Sequence, residues 1–190
     1  MYRGYRGYSS TPIWFLIGIN VLVFIVTMVR SEFIFLLGLQ PATFLQQPWT
    51  IVTNLFVHGG FGHILTNMIT LFFFGSFLCR LLGERKFLLV YFAGGIVGNI
   101  FYLWLANPFT IAIGASGAVF AIGGALTVLT PKLRVFIFPI PAPIPLWAAV
   151  IGGFLIISLF PNIAWQAHLG GLLLGLAAGY YFRKQRYIRY

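Results

Sequence analysis

The chain has 190 residues, of which 60% are hydrophobic, 18% aromatic and only 7% charged, and it carries a net charge of +10. So much apolar sequence with so few charges excludes an ordinary soluble domain and predicts an all-α, polytopic membrane helical bundle. There is no Asp, and the only acids are Glu32 and Glu84, which excludes acidic metal centres, aspartyl dyads and Asp-based triads. The single cysteine, Cys79, allows no internal disulfide and reads as a packing residue.

In chain order, residues 1–11 form a basic N-terminal segment with Arg3 and Arg6. Six apolar runs follow, at residues 12–29, 64–82, 87–106, 111–130, 144–160 and 163–182. Each approaches the ~17–25 residues that cross a hydrocarbon core, and each must be helical because lipid offers the backbone no partners. Residues 12–182 thus read as one domain of six transmembrane helices, and residues 183–190 as a basic tail. The first run follows two arginines as a signal peptide would. Its length, its lack of a small-x-small cleavage site and the spans after it predict an anchor instead.

The longest connection, residues 30–62, is rich in Phe and Leu and poor in charge, which predicts short amphipathic pieces packed on the bundle. The fourth run is interrupted by Gly114-Ala115-Ser116-Gly117, so its regular helix is expected to begin near Ser116. Pro139, Pro141, Pro143 and Pro145 predict a stiff, extended connection before the fifth run.

Of the 12 basic residues, all but Arg30 fall on one side of a six-span arrangement. By the positive-inside rule this predicts a multi-pass protein of the plasma membrane with both termini cytoplasmic. The basic groups are short and adjacent to lipid, so no nucleic-acid partner is expected; the surrounding partner is membrane lipid.

The even-numbered spans all run from the outside inward. His63 and Asn67 open span two, Ser116 opens the regular part of span four, and His168 lies roughly 7–9 Å into span six at 1.5 Å per residue. Four hydrogen-bonding side chains, far apart in sequence, therefore share one depth. Gly171, Gly175 and Gly179 recur every four residues on span six, and Gly117, Ala121 and Ala125 do so on span four. Small faces of this kind let backbones approach closely in lipid.

Ser116 is a weak nucleophile unless a base activates it, and His168 is the available base. With no Asp to orient the histidine, the consistent arrangement is a Ser-His dyad. His63 and Asn67 share one helix face and, with the Ser116 backbone N–H, are candidates for oxyanion stabilisation. The plainer alternatives are a helix-capping Ser116, an interhelical hydrogen bond at His168 and a polar pair at a helix entrance. His58 reads as a loop brace, and Asn20 and Asn99 as interhelical glue. Three histidines without an acid ligand predict no metal, and no cofactor is expected.

His63-x-x-x-Asn67, Gly114-x-Ser116-Gly117 and Ala167-His168-x-x-Gly171-x-x-x-Gly175, in this order on spans two, four and six, closely resemble the rhomboid family of intramembrane serine proteases. The resemblance covers essentially the whole chain, and its compact length is similar to the basic prokaryotic form. It implies a six-helix rhomboid fold, Ser116 as nucleophile and His168 as general base. It also implies oxyanion stabilisation by His63 and Asn67, and support from Gly114, Gly117 and His58. The implied partners are transmembrane protein substrates, cleaved near the outer face, with no obligate protein partner. Three positions depart from the family pattern: Thr50 follows Trp49 where an Arg is common, Phe120 stands for a tyrosine that braces the base, and Cys79 replaces a glutamate. The competing expectation is a non-proteolytic rhomboid-like protein that binds client helices, against which both dyad members stand.

Overall fold

The computed structural model of the chain describes residues 10–137 and 140–187, with side chains described as far as residue 185. Arg3, Arg6, Pro139 and Arg189, and the side chain of Arg186, lie outside the described residues. The architecture is an all-α bundle. Helix α1 (Thr11–Val29) leads into a long connection, called the outer connection after the side on which the charge pattern predicts it, built from α2 (Glu32–Leu37), a 3-10 turn (Pro41–Thr43), α3 (Thr50–Thr53) and a second 3-10 turn (Asn54–Phe56). Then come α4 (Phe61–Thr70), a π turn (Leu71–Gly75), α5 (Ser76–Leu82) and α6 (Glu84–Leu105). The chain ends in α7 (Ser116–Leu129), a two-stranded hairpin of β1 (Arg134–Val135) and β2 (Ile144–Pro145), α8 (Leu146–Ser158) and α9 (Trp165–Tyr187).

Each of the six apolar runs coincides with a helix, but their lengths differ. Thr11–Val29, Phe61–Leu82 and Glu84–Leu105 are long and apolar enough to cross a membrane, while Ser116–Leu129 and Leu146–Ser158 are shorter apolar helices. Helix α7 has 14 residues, or about 21 Å at 1.5 Å per residue, less than a ~30 Å hydrocarbon core. Residues 111–115 enter it as extended chain rather than helix, because Gly114 takes a φ of +118° that ends regular structure there. At the other end, α9 runs past residue 182 and places Arg183 and Lys184 on the helix rather than in a separate tail.

Helix α7 is the axis of the bundle. Gly117, Ala118 and residues 121–126 are all buried. Its small face meets that of α9 one for one: a Cβ added at Gly171 would strike the Gly117 carbonyl, one at Gly175 the Ala121 carbonyl, and one at Gly179 the Ala125 carbonyl. At the start of α9, a Cβ at Gly98 of α6 would strike the Ala167 carbonyl, which Gly117 of α7 also approaches. Helices α6, α7 and α9 therefore touch backbone to backbone, where dispersion is strongest and lipid supplies no competing hydrophobic drive. Large side chains such as Phe87, Tyr91, Ile122 and Leu126 fill the space beyond the seam.

Two connections are more ordered than the sequence implies. The proline-rich segment does not run out as a stiff strand. It doubles back so that Arg134 pairs with Pro145 and Val135 with Ile144, and the Arg134 guanidinium donates to the Pro143 carbonyl at 2.7 Å. The outer connection folds on itself, with the Trp49 indole donating to the Leu36 carbonyl (2.9 Å) and the Thr53 hydroxyl to that of Leu37 (2.8 Å). Thr50, at the position where Arg was noted as common, is buried and donates to the Gln47 carbonyl.

Close packing is what makes a glycine irreplaceable here, so position decides the effect of a substitution. Gly152 on α8 has nothing within 4 Å of an added Cβ. Gly175→Val is expected to lower thermal stability in detergent by about 1–3 kcal/mol through overpacking. Gly152→Ala should leave stability unchanged or raise it by about 0.5–1 kcal/mol through helix propensity. Thermal unfolding of the two variants beside the parent protein checks the contrast.

Candidate active site

The extended segment before α7 is held by the outer connection through its backbone. Leu39 and Ala112 exchange N–H···O bonds (2.9 and 2.8 Å), the Gly114 N–H donates to the Asn54 carbonyl (2.9 Å), and the Ala115 N–H donates to His58 Nε2 at 3.4 Å. The next residue is Ser116. It begins α7, where the first backbone N–H groups have no partner within the helix. With the earlier amides of the segment tied down, the Ser116 N–H at the helix start is left to meet a partner from outside the helix.

Ser116 Oγ lies 2.6 Å from His168 Nε2. The Gly171–Gly117 contact brings the two helices close enough for this bond, since His168 lies one turn before Gly171 and Ser116 directly precedes Gly117. His168 is buried, and its Nδ1 has no hydrogen-bond partner among the described residues. Among the described residues no carboxylate orients the ring. Glu32 pairs with Arg30 at the surface, and Glu84 opens α6 at the far end of the bundle. The ring is held instead by Phe120, whose centroid is 4.8 Å away at 35°, and Phe120 is in turn met edge-on by Phe154 of α8. The missing tyrosine hydroxyl at position 120 therefore leaves the packing role intact.

His63 stands on the other side of Gly114. A Cβ at Gly114 would lie 2.7 Å from His63 Nε2 and 3.7 Å from Ser116 Oγ, so only glycine lets ring and serine converge. The Gly59 N–H points at His63 Nδ1 (3.4 Å), which makes Nδ1 the acceptor and assigns the proton to Nε2, facing Gly114. Asn67 is buried one turn further on. One of its amide hydrogens goes to the His63 carbonyl of its own helix (2.9 Å), leaving the second for a ligand.

Three residues do more than the sequence suggested. His58 is no simple loop brace, because it accepts the amide next to Ser116 and stacks edge-on to His63 at 4.9 Å. Asn99 joins α6 to the short helix α3 and the turn after it rather than to another long helix. It bonds the outer connection, at the Ile51 carbonyl and the Asn54 side chain, both at 2.7 Å. Asn54 was not singled out at all; a lone amide in an otherwise apolar stretch was the available signal. Asn20 donates to the Leu16 carbonyl of its own helix. A small cavity behind the serine is lined by Asn54, Asn99, Gly114, Ser116 and Gly117 among others. Among the described residues no group of three or more His, Cys, Asp or Glu side chains gathers to hold a metal.

The family model described as Rhomboid domain matches residues 45–185. The chain belongs to the rhomboid family. It is similar to "Rhomboid protein 1, mitochondrial" of Saccharomyces cerevisiae, 30% identical over 95% of this chain and 56% of the yeast protein. It is also similar to two Bacillus subtilis proteins. With the "Putative rhomboid protease YdcA" it shares 42% identity over 40% of this chain and 38% of that protein. With the "Rhomboid protease GluP" it shares 33% over 68% of this chain and 25% of that protein. The chain thus spans about half, or less, of the length of these rhomboid relatives. Family and apolar helices together make this a multi-pass membrane protein.

Burial, and next the charge of His63, push the His58 pKa down to about 4, with the Phe56 carbonyl pulling weakly the other way. The folded state therefore holds His58 neutral, as an acceptor of the Ala115 N–H must be. Between about pH 6.5 and 4 the unfolded chain takes up a proton at this position that the folded one refuses. The stabilisation is full above pH 6.5 and is lost as pH falls through that window. Melting temperature measured from pH 7.5 to 4 should fall less steeply in His58→Gln than in the parent protein.

Proposed function

We propose that this chain is an intramembrane serine endopeptidase in which Ser116 is the nucleophile and His168 the general base. The observation that carries the proposal is the 2.6 Å contact between a half-buried Ser116 and a buried His168 beside a tethered helix start. The family relationship adds to it, because two of the relatives named above are called rhomboid proteases.

The chemistry follows from the atoms in place. His168 Nε2 accepts the Ser116 hydroxyl proton as Oγ attacks the carbonyl carbon of a peptide bond. The oxyanion that forms faces the Ser116 N–H, the His63 Nε2–H and the free amide hydrogen of Asn67. The imidazolium has no carboxylate partner, and its positive charge is met by the face of Phe120. Collapse breaks the C–N bond, and His168 returns the proton to the departing amine. Water, deprotonated by His168, then releases the acyl group from Ser116.

The substrate class follows from the surroundings. The site opens at the start of helices in an apolar bundle, so the substrate is a membrane-anchored segment that unwinds locally near the outer face to expose its backbone. In this proposal residues 12–182 form one catalytic domain that crosses the membrane six times. The basic face lies in the cytoplasm of a cell whose plasma membrane holds the protein, and the site faces outward. The yeast relative carries a mitochondrial name, and in an organellar membrane the same charge rule would turn the basic face toward the interior.

Purified protein in detergent should be labelled by a fluorophosphonate at Ser116, with labelling and cleavage of a transmembrane substrate lost in Ser116→Ala and His168→Ala. Glu32→Gln and Glu84→Gln should retain activity, and equal loss in either would reveal a third catalytic group. His63→Ala and Asn67→Ala should lower kcat by up to about 10²–10³, the range for a lost oxyanion donor, with little change in substrate binding. Weakened binding at unchanged kcat would make them docking residues.

A further inference from the structure

Asn54 and Asn99 lie 45 residues apart and are both buried, each 2% exposed. Their side-chain amides face each other in a closed pair: Asn54 Nδ2 donates to Asn99 Oδ1 (3.0 Å), and Asn99 Nδ2 donates to Asn54 Oδ1 (2.7 Å). The second hydrogen of Asn99 Nδ2 goes to the Ile51 carbonyl at 2.7 Å. One turn earlier on α6, Gly95 receives the side chain of Leu55, so the helix presents a matched seat at i and i+4 for two consecutive loop residues. The backbone of Asn54 then does something separate: its carbonyl accepts the N–H of Gly114. Gly114 is the residue that separates His63 Nε2 from Ser116 Oγ.

We infer that the Asn54–Asn99 pair is a positioning device for the catalytic backbone, which presupposes the protease reading above. It pins the outer connection to α6, and through the Asn54 carbonyl it sets where Gly114, and hence the Ser116 N–H and the His63 ring, stand. Neither asparagine side chain bonds to Ser116 or His168, so the pair acts through the backbone it holds. A closed amide pair suits the task because it has direction and length, whereas apolar packing alone would let the loop slide. Opening it leaves buried amide groups unpaired, both ends of the Asn54 amide or the Asn99 carbonyl oxygen, and the loop must move to solvate them. A displacement of about 1 Å at such a site costs about 10²-fold in rate.

The test joins an activity-dependent and an activity-independent readout. In Asn99→Ala and Asn54→Ala, kcat is expected to fall about 10-fold or more, at temperatures where each variant is folded. Binding of substrate to the same variants carrying Ser116→Ala is expected to be unchanged. The double variant should lose no more than either single one, because the pair acts as a unit. Hydrogen–deuterium exchange should speed up in peptides covering residues 110–118 and not across α6 and α7 as a whole. Asn20→Ala removes an equally buried asparagine that donates to the Leu16 carbonyl of α1 and makes no bond to the loop that carries Asn54, and it should show neither effect. Additive losses in the double variant, or exchange that rises equally everywhere, would overturn the pairing and leave Asn99 as a stability residue only. If the parent protein took no fluorophosphonate, the protease reading would fail, while the exchange result would still judge whether the pair holds the 110–118 segment.

Discussion

The chemistry proposed for this molecule depends on two helices that touch backbone to backbone along a line of glycines and alanines. Gly171, Gly175 and Gly179 of α9 lie on the carbonyls of Gly117, Ala121 and Ala125 of α7. In lipid there is no hydrophobic gain from pushing helices together, so association rests on contact density, which is greatest when backbones meet. The same contact sets the distance between the residues that precede it, Ser116 and His168. The seam that stabilises the bundle is also the ruler of the proposed Ser116–His168 dyad, where it would do the orienting that a carboxylate performs in aqueous triads. A membrane interior favours that solution, because an ionised acid at depth is costly whereas glycine and a neutral imidazole are not.

The second constraint comes from outside the helices. The segment before Ser116 cannot be helical, since Gly114 has positive φ, so its amides need other partners. The outer connection provides them at Leu39, Asn54 and His58, three points spread along one loop. That explains why so apolar a loop is folded rather than merely adsorbed at the interface. Its inner face is a template for a stretch of backbone, and its helical turns bring the template residues into register.

Much of the fold was legible because lipid narrows the choices. Six apolar runs each mark a helix, and the four-residue spacing of small residues on runs four and six marks the seam that joins them. Ser116, His168 and His63 were singled out by an expected common depth on alternate runs, and the bundle does bring these three together around Gly114. What escaped is what depends on contacts between distant pieces. The brevity of α7 follows from the turn at Gly114, not from hydropathy, which continues smoothly through residues 111–115. The hairpin at β1 and β2 is invisible in a proline count, because prolines stiffen a chain without saying where it turns. Asn99 looked like a helix–helix contact because its helical position is readable and its partner, a loop residue 45 positions earlier, is not. The tautomer of His63 likewise follows from the Gly59 amide, which no pattern in the chain announces.

The central claim is that backbone contact between α7 and α9 sets the Ser116–His168 geometry. The most direct measurement is the rate at which a fluorophosphonate modifies Ser116 in Gly171→Ala, compared with Gly152→Ala as a helix glycine in open space, with both proteins folded. One methyl group at position 171 collides with the Gly117 carbonyl and must part the helices. The account predicts a fall of about 10²-fold for Gly171→Ala, the cost of an ångström-scale misplacement, and no change for Gly152→Ala. Modification of Gly171→Ala at the parent rate would contradict it.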